Sequence, residues 1–330
     1  MEESKILTFG SINIDEFFEV PHIVSSGETI TSSKYTQRAG GKGANQSVSL
    51  AKAGALIWHA GKIGRDGAWI KEYMSEFGVK VDHIIISEDQ PTGRAFIQVS
   101  QKTRDNSIVL LPGTNHMINL DEARKVLSQE FDLVIMQNEI GQIGGEILKL
   151  CKEKGLTTVF NPAPISEDII NVFSFNLVDY LIVNKLEADQ LYKQISESDK
   201  KDISVQDLLT SISNEFKQLI GIIITLGSEG LYAWYKPEQK MFYLPAFKTE
   251  VLDTTGAGDT FIGYFVSGIV RNLKHERRVD SNVILPTSET FLNALKEATV
   301  AASLAVGQLG AMESIPSFID VQKSKIMFDD

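Results

Sequence analysis

Six short apolar runs, at 6–10, 56–59, 133–136, 157–160, 180–183 and 220–226, constrain the fold of this chain more than any other feature. A run of this length without polar alternation is a strand covered on both faces, and helical spacing of apolar residues fills most of the intervals. Strands joined through helices lie parallel. The pattern therefore predicts an α/β fold, a doubly wound, mostly parallel central sheet flanked by helices. With 330 residues and 43% apolar side chains, a single domain over 1–330 can enclose that sheet.

Two stretches break the rhythm. Residues 92–101 and 106–111 read as a β-hairpin around the polar turn 102–105, with 16–20 and 34–38 as candidate partners. Four such pieces form either a small projecting sheet, a lid, or edge strands of the main sheet. Polar segments at 196–204 and 271–286 read as surface connections without chemistry of their own.

A formal charge of -11 excludes a general nucleic-acid binder, because affinity for a phosphate backbone needs a basic surface. The one dense basic run, 274–278, reads as a solvated loop. No apolar run approaches the ~20 residues that span a bilayer. The N-terminus lacks the basic start and apolar core of a signal peptide, so a cytoplasmic protein is expected, with a nuclear fraction left open. The lone Cys151 shares a helical pattern with Ile147, Leu148 and Leu150, which makes it a core thiol, and the five histidines lack metal-ligand spacing.

The segment carrying most chemistry is Asp253, Thr254, Thr255, Gly256, Ala257, Gly258, Asp259, Thr260, Phe261, which opens a helix with Phe261, Phe265 and Ile269 on one stripe. Two glycines let backbone amides turn inward at a helix N-terminus, where unpaired N–H groups and the dipole favour a phosphate. An aspartate there repels a phosphate, so Asp259 suggests a hydroxyl to be activated by proton removal. The plainer alternative is that Asp259 caps the helix and the glycines only turn the chain. Phe261 stands where a dinucleotide fingerprint needs its third glycine, and no P-loop occurs.

A second constellation pairs Asn13 and Asp15, after the first run, with Gly40, Gly41, Lys42, Gly43, Ala44 and Asn45. Sugar hydroxyls donate and accept, so carboxylates and amides held together suit them. Glu139, after the 133–136 strand, adds a third carboxylate at the same sheet edge.

Four segments in this order, 10–15 (GSINID), 40–45 (GGKGAN), 161–164 (NPAP) and 253–259 (DTTGAGD), resemble the PfkB family of carbohydrate kinases, over about residues 5–320. The resemblance implies transfer of the ATP γ-phosphate to O5 of D-ribose, with Mg²⁺ on the phosphates and K⁺ as activator; the alternatives are another kinase of the family, for fructose or a nucleoside, or a sugar-binding regulator without turnover. It implies Asp259 as base, with the amides of Gly256, Ala257, Gly258 and Asp259 as the anion hole. Ribose would be bound by Asn13, Asp15, Gly41, Lys42, Gly43, Ala44, Asn45 and Glu139. Asn184, Thr225, Leu226, Gly227, Ser228, Glu229, Gly230, Gly258 and Thr299 would border ATP, and Glu187 would reach Mg²⁺ through water. The implied K⁺ loop comprises Asp253, Thr255, Ala305, Gln308, Gly310 and Ser314. The projecting sheet, from segments near 14–38 and 92–111, would be a lid and the seam of a homodimer. One departure, Ser26 in place of the family's proline before Gly27, Glu28 and Thr29, bears on turn rigidity only.

Overall fold

The structure, a computed structural model, describes residues 3–103, 105–196, 203–271 and 283–329. The basic run at 274–278 and most of the connections at 196–204 and 271–286 lie outside the described residues.

Thirteen strands appear among the described residues. In chain order they are β1 (Lys5–Phe9), β2 (Asn13–Val20), β3 (Lys34–Gly40), β4 (Leu56–Gly64), β5 (Lys80–Ser87), β6 (Gly93–Ser100) and β7 (Asn106–Leu111). Then come β8 (Leu133–Gln137), β9 (Thr157–Asn161), β10 (Tyr180–Asn184), β11 (Gly221–Thr225), β12 (Leu231–Tyr235) and β13 (Lys240–Leu244). The helices are α1 (Lys42–Lys52), α2 (Ala68–Glu76), α3 (Leu120–Val126), α4 (Ile143–Glu153) and α5 (Ile169–Val172). They continue with α6 (Lys185–Ser196), α7 (Val205–Glu215), α8 (Ala257–Arg271), α9 (Ser288–Ala305) and α10 (Phe318–Asp329).

Nine strands form the main sheet in the order β13-β12-β11-β10-β9-β8-β1-β4-β5. It is parallel from β5 to β11, and β12 and β13 extend it antiparallel. Alternating side chains feed two cores. Ile6, Ile57, Ile135 and Ile182 face one layer, with α1, α2, α8, α9 and α10; Leu7, Val134, Phe160 and Leu181 face the other, with α3 to α7. Burial on both faces explains the unbroken apolar runs. Cys151 is fully buried in the second core, and burial pushes its thiol up to about 12.

The remaining four strands make a separate sheet, β3-β2-β6-β7. Arg94 on β6 pairs with Glu16 on β2 within this sheet and, at 2.6 Å, ties its base to the main body through Asp66 after β4. Asp66 in turn accepts from the amide and hydroxyl of Thr92. Of the alternatives open at the sequence level, the separate sheet holds.

Two sequence expectations shift. The strand expected at 16–20 begins earlier, at Asn13, so Asn13 and Asp15 sit in the first residues of β2, where Asn13 pairs with Gly40 and Gly93. Strands β5, β12 and β13 were not anticipated; β5 alternates weakly and the antiparallel pair departs from the β-α rhythm. No helix is long and apolar enough to cross a membrane among the described residues.

Candidate active site

The parallel strands end on one edge of the sheet, and the candidate residues gather there. Strand β1 stops at Phe9, and its exit turn meets the start of α1 by direct backbone contact. A Cβ on Gly43 would lie 2.5 Å from Gly10 Cα, so only glycine permits this approach. Gly41, at φ 93°, takes a backbone conformation that side chains disfavour and brings α1 in beside residues 11–13. The first amides of α1 then find partners. Ala44 N–H donates to the Ser11 carbonyl at 2.9 Å and Lys42 N–H to Glu139 Oε2 at 3.2 Å. Ser11 Oγ also donates to Glu139, so this carboxylate sits at the positive end of α1.

Asp259 lies in the first turn of α8, its carboxylate turned away from its own helix. Asn45 Nδ2 donates to Oδ2 at 3.0 Å and Gln46 Nε2 to Oδ1 at 2.9 Å. An N-cap side chain would accept from its own helix, so the capping alternative does not describe this geometry. Gly256, at φ 75°, turns the chain into α8. Gly258 is exposed, with nothing within 4 Å of where its Cβ would stand, which leaves room beside the first-turn amides.

Charge converges here. Burial raises the Asp259 pKa, and Lys42, Asn45 and Gln46 oppose the rise. Burial alone would lower the Lys42 ammonium, but Asp259, Glu139, Glu187 and Asp15 carry it above its ordinary value, so it stays charged. Asp15 is pushed up to about 7 by burial, then by Glu139, Asp259 and Glu313. The structure thus brings Asn13, Asp15, Lys42, Asn45, Glu139 and Asp259 into one polar cluster.

Several members of this cluster have partners that the sequence did not single out. Asn115 accepts from Ile12 N–H at 2.9 Å and donates to Asn13 Oδ1 at 2.7 Å. Gln46, Gln137 and Asn161 are buried behind Asp259. Gln46 was within reach, one residue past Asn45, and Asn161 opens the 161–164 segment already singled out, though without a role; Gln137 and Asn115 carry no local signal.

Asn184 and Glu187 form a reciprocal cap on α6. Glu187 N–H donates to Asn184 Oδ1 and Asn184 N–H to Glu187 Oε2, both at 2.9 Å. Burial raises the Glu187 pKa, Asn184 and Lys42 lower it, and Asp259 adds a further rise. Thr225 pairs in register with Asn184, and the turn from Leu226 to Gly230 closes beyond it, with Gly227, Ser228 and Glu229 exposed. Thr299 is buried on α9 with its hydroxyl bonded to Leu295 O, turned into its own helix.

Asp253 stitches two loops together. Its carboxylate accepts from Thr255 N–H and Gly310 N–H, each at 3.0 Å, while Leu252 and Asp253 amides donate to Val306 O. Burial acts to raise the Asp253 pKa, but the bonds from Thr255 and Gly310, with Arg38 nearby, hold it below the usual value. Ala305, Gln308, Gly310 and Ser314 all lie in the second of these segments, and Ser314 Oγ donates to Ala311 O. Among the described residues no three His, Cys, Asp or Glu side chains group as a metal site.

The pfkB family of carbohydrate kinases matches the chain over residues 3–317. The chain is 31% identical over 319 residues to the ribokinase of Haemophilus influenzae, covering 95% of this chain and 96% of that one. It is 32% identical over 336 residues to the ribokinase of Schizosaccharomyces pombe, covering 97% of each. The crystal structure of ribokinase from Cryptococcus neoformans var. grubii in complex with ADP matches with a TM-score of 0.79 at 36% identity, over 98% of this chain and 100% of that one. Arabidopsis thaliana ribokinase complexed with ribose and ATP gives 0.80 at 25% identity, over 98% and 99%. With its α/β architecture, its second small sheet and a family match that spans nearly its whole length, this chain belongs to the pfkB family of carbohydrate kinases.

Proposed function

We propose that the chain is a ribokinase, which transfers the γ-phosphate of ATP to O5 of D-ribose. The observation that carries this reading is the buried Asp259 carboxylate, held by two amide donors at the mouth of a glycine turn and facing the polar cleft of Asn13, Asp15, Lys42 and Asn45. Relatives along the full chain are ribokinases, one of them solved with ribose and ATP.

In this mechanism Asn13, Asp15, Gly41, Lys42, Gly43, Ala44, Asn45 and Glu139 bind and orient the sugar. Asp259 accepts the proton of the O5 hydroxyl as that oxygen attacks phosphorus. The amides of Gly256, Ala257, Gly258 and Asp259 would face the negative charge on the transferred group, where preorganised donors act most strongly, with Ala257 N–H giving up its 3.3 Å bond to Thr254 O. Asn184, the Thr225–Gly230 segment and Thr299 border the nucleotide.

The residues fit the expected ions. Glu187 offers a single carboxylate, one oxygen of which Asn184 holds, which suits Mg²⁺ kept mainly by phosphates and water. The 253–255 and 305–314 segments offer carbonyl, hydroxyl and carboxylate oxygens, a donor set suited to K⁺. Bound near Glu187, Mg²⁺ would supply charge neutralisation on the phosphates, and K⁺ held by the 253–255 and 305–314 segments would stiffen the loop that leads into the Gly256 turn.

The four-stranded sheet serves as a lid within one domain, and as the seam of a homodimer through exposed Tyr35, Ile108, Val109, Leu110 and Leu111. A cytoplasmic location goes with this reading, since ATP and free sugar would both be at hand there. The test is a panel of ribose, fructose and adenosine with ATP and Mg²⁺, with and without K⁺. Ribose is expected to be the preferred acceptor and K⁺ to stimulate turnover; a preference for fructose or adenosine overturns the substrate assignment.

A further inference from the structure

We propose that Gln46 and Gln137 are positioning residues for Asp259, members of a buried amide chain whose polarity is set by a main-chain carbonyl and which fixes which end of the Gln46 head meets the carboxylate. The proposal rests on the reading of Asp259 as the base.

The chain begins at β10. The Ile182 carbonyl can only accept, and Asn161 Nδ2 donates to it at 2.9 Å. Asn161 therefore presents Oδ1 to Gln46, whose Nε2 donates to it at 3.4 Å. The same Nε2 donates to Asp259 Oδ1 at 2.9 Å, so both its hydrogens face acceptors. Gln46 Oε1 must then point the other way, and Gln137 Nε2 donates to it at 2.6 Å. Each link dictates the next. Reversing Gln46 would set its oxygen against both Asp259 Oδ1 and Asn161 Oδ1, and would set its amino group against that of Gln137.

The elements make this possible. Gln137 and Asn161 end the adjacent parallel strands β8 and β9 in register, and Gln46 descends on them from the first turns of α1. Gly10 leaves the space that the Gln137 head occupies, since a Cβ there would lie 2.4 Å from Gln137 Oε1. That oxygen is buried without a protein partner among the described residues. Gln137 thus has a hydrogen-bonding role at one end only, the end that holds Gln46. Asn45 holds the other oxygen of Asp259, so loss of Gln46 orientation frees one side of the carboxylate and leaves it able to swing.

The test measures kcat, sugar KM and Tm for Gln137→Met, Gln46→Met, the double variant, Gln46→Glu and Asp259→Asn, with ATP, Mg²⁺, K⁺ and the best sugar of the panel above. Gln137→Met removes one unpartnered oxygen and creates another on Gln46, so Tm is expected to move little. Its kcat is expected to fall about tenfold or more with sugar KM within about twofold, as a misaligned base would cause. The double variant is expected to match Gln46→Met alone, since Gln137 acts through Gln46. Gln46→Glu keeps the acceptor for Gln137 but turns oxygen toward Asp259, and is expected to lose more kcat than Gln46→Met. Parent-like kcat in Gln137→Met, or losses that multiply in the double variant, overturns the proposal. If Gln137→Met does not fold, parent-like turnover of Gln46→Glu overturns it instead. Normal turnover in Asp259→Asn removes the reading beneath the proposal and the proposal with it, whereas a dead Asp259→Asn beside active glutamine variants removes the proposal alone.

Discussion

Gly43→Ala puts a methyl group where two backbones touch. The new Cβ would stand 2.5 Å from Gly10 Cα and 2.6 Å from Gly10 C and Ser11 N. Ordinary contact begins near 3.4 Å. The backbones must therefore part by on the order of 1 Å, and no flexible side chain can absorb the move. Strand β1 is held inside the sheet between β8 and β4, so the start of α1 is what gives. Overpacking of this kind costs about 1–3 kcal/mol. The displacement also shifts Lys42 and Asn45 away from Asn13 and Asp15. A misplacement of about 1 Å at reacting groups costs ~100-fold in rate. Steady-state kinetics and thermal unfolding check both effects. The expected result is a Tm lower by a few degrees and kcat/KM for sugar reduced about a hundredfold. A variant with parent-like kinetics and Tm refutes the claim that this contact sets the cleft.

Two further outcomes follow from the same geometry. Asp15, with its pKa raised from 3.8 to about 7, stabilises the fold only while protonated, so its contribution is full below about pH 4 and fades as the pH rises through about 7. Asp15→Asn is therefore expected to melt higher than the parent at about pH 8, and the parent's kcat/KM for sugar is expected to fall as the pH drops below about 7 while the variant loses that limb. Gly258→Ala meets nothing within 4 Å, so Tm should hold while the methyl crowds the space beside the first-turn amides and raises KM for ATP; an unchanged KM contradicts phosphate placement there.

How much of this was legible in the sequence depends on what each feature needs. Six of the seven parallel strands were readable because burial on both faces leaves continuous apolar runs, as at Ile6, Leu133 and Tyr180, whereas the half-exposed edge strand β5 was not. The Gly256 and Gly43 turns were readable because glycine has few other reasons to recur there. Strands β12 and β13 carry Tyr232, Trp234 and Tyr243 on half-covered faces and break the β-α order, which concealed them. The partners of the site residues were concealed for a different reason. Asn115 lies 102 residues from Asn13, and Gln137 lies 91 from Gln46. An amide in a polar loop or at a strand end looks alike whether or not a distant chain segment needs it. Local sequence gave the Asn184 and Glu187 pair its family role, yet the same spacing also makes the reciprocal cap that the structure displays.

The most direct test of the phosphotransfer mechanism is Asp259→Asn, assayed for turnover alongside calorimetric titration with D-ribose. The substitution removes the proton acceptor while keeping the shape of the side chain between Asn45 and Gln46. Turnover is expected to fall by about 10²–10⁴ with ribose affinity retained. A variant that binds ribose and phosphorylates it at the parent rate contradicts the assignment of Asp259 as base.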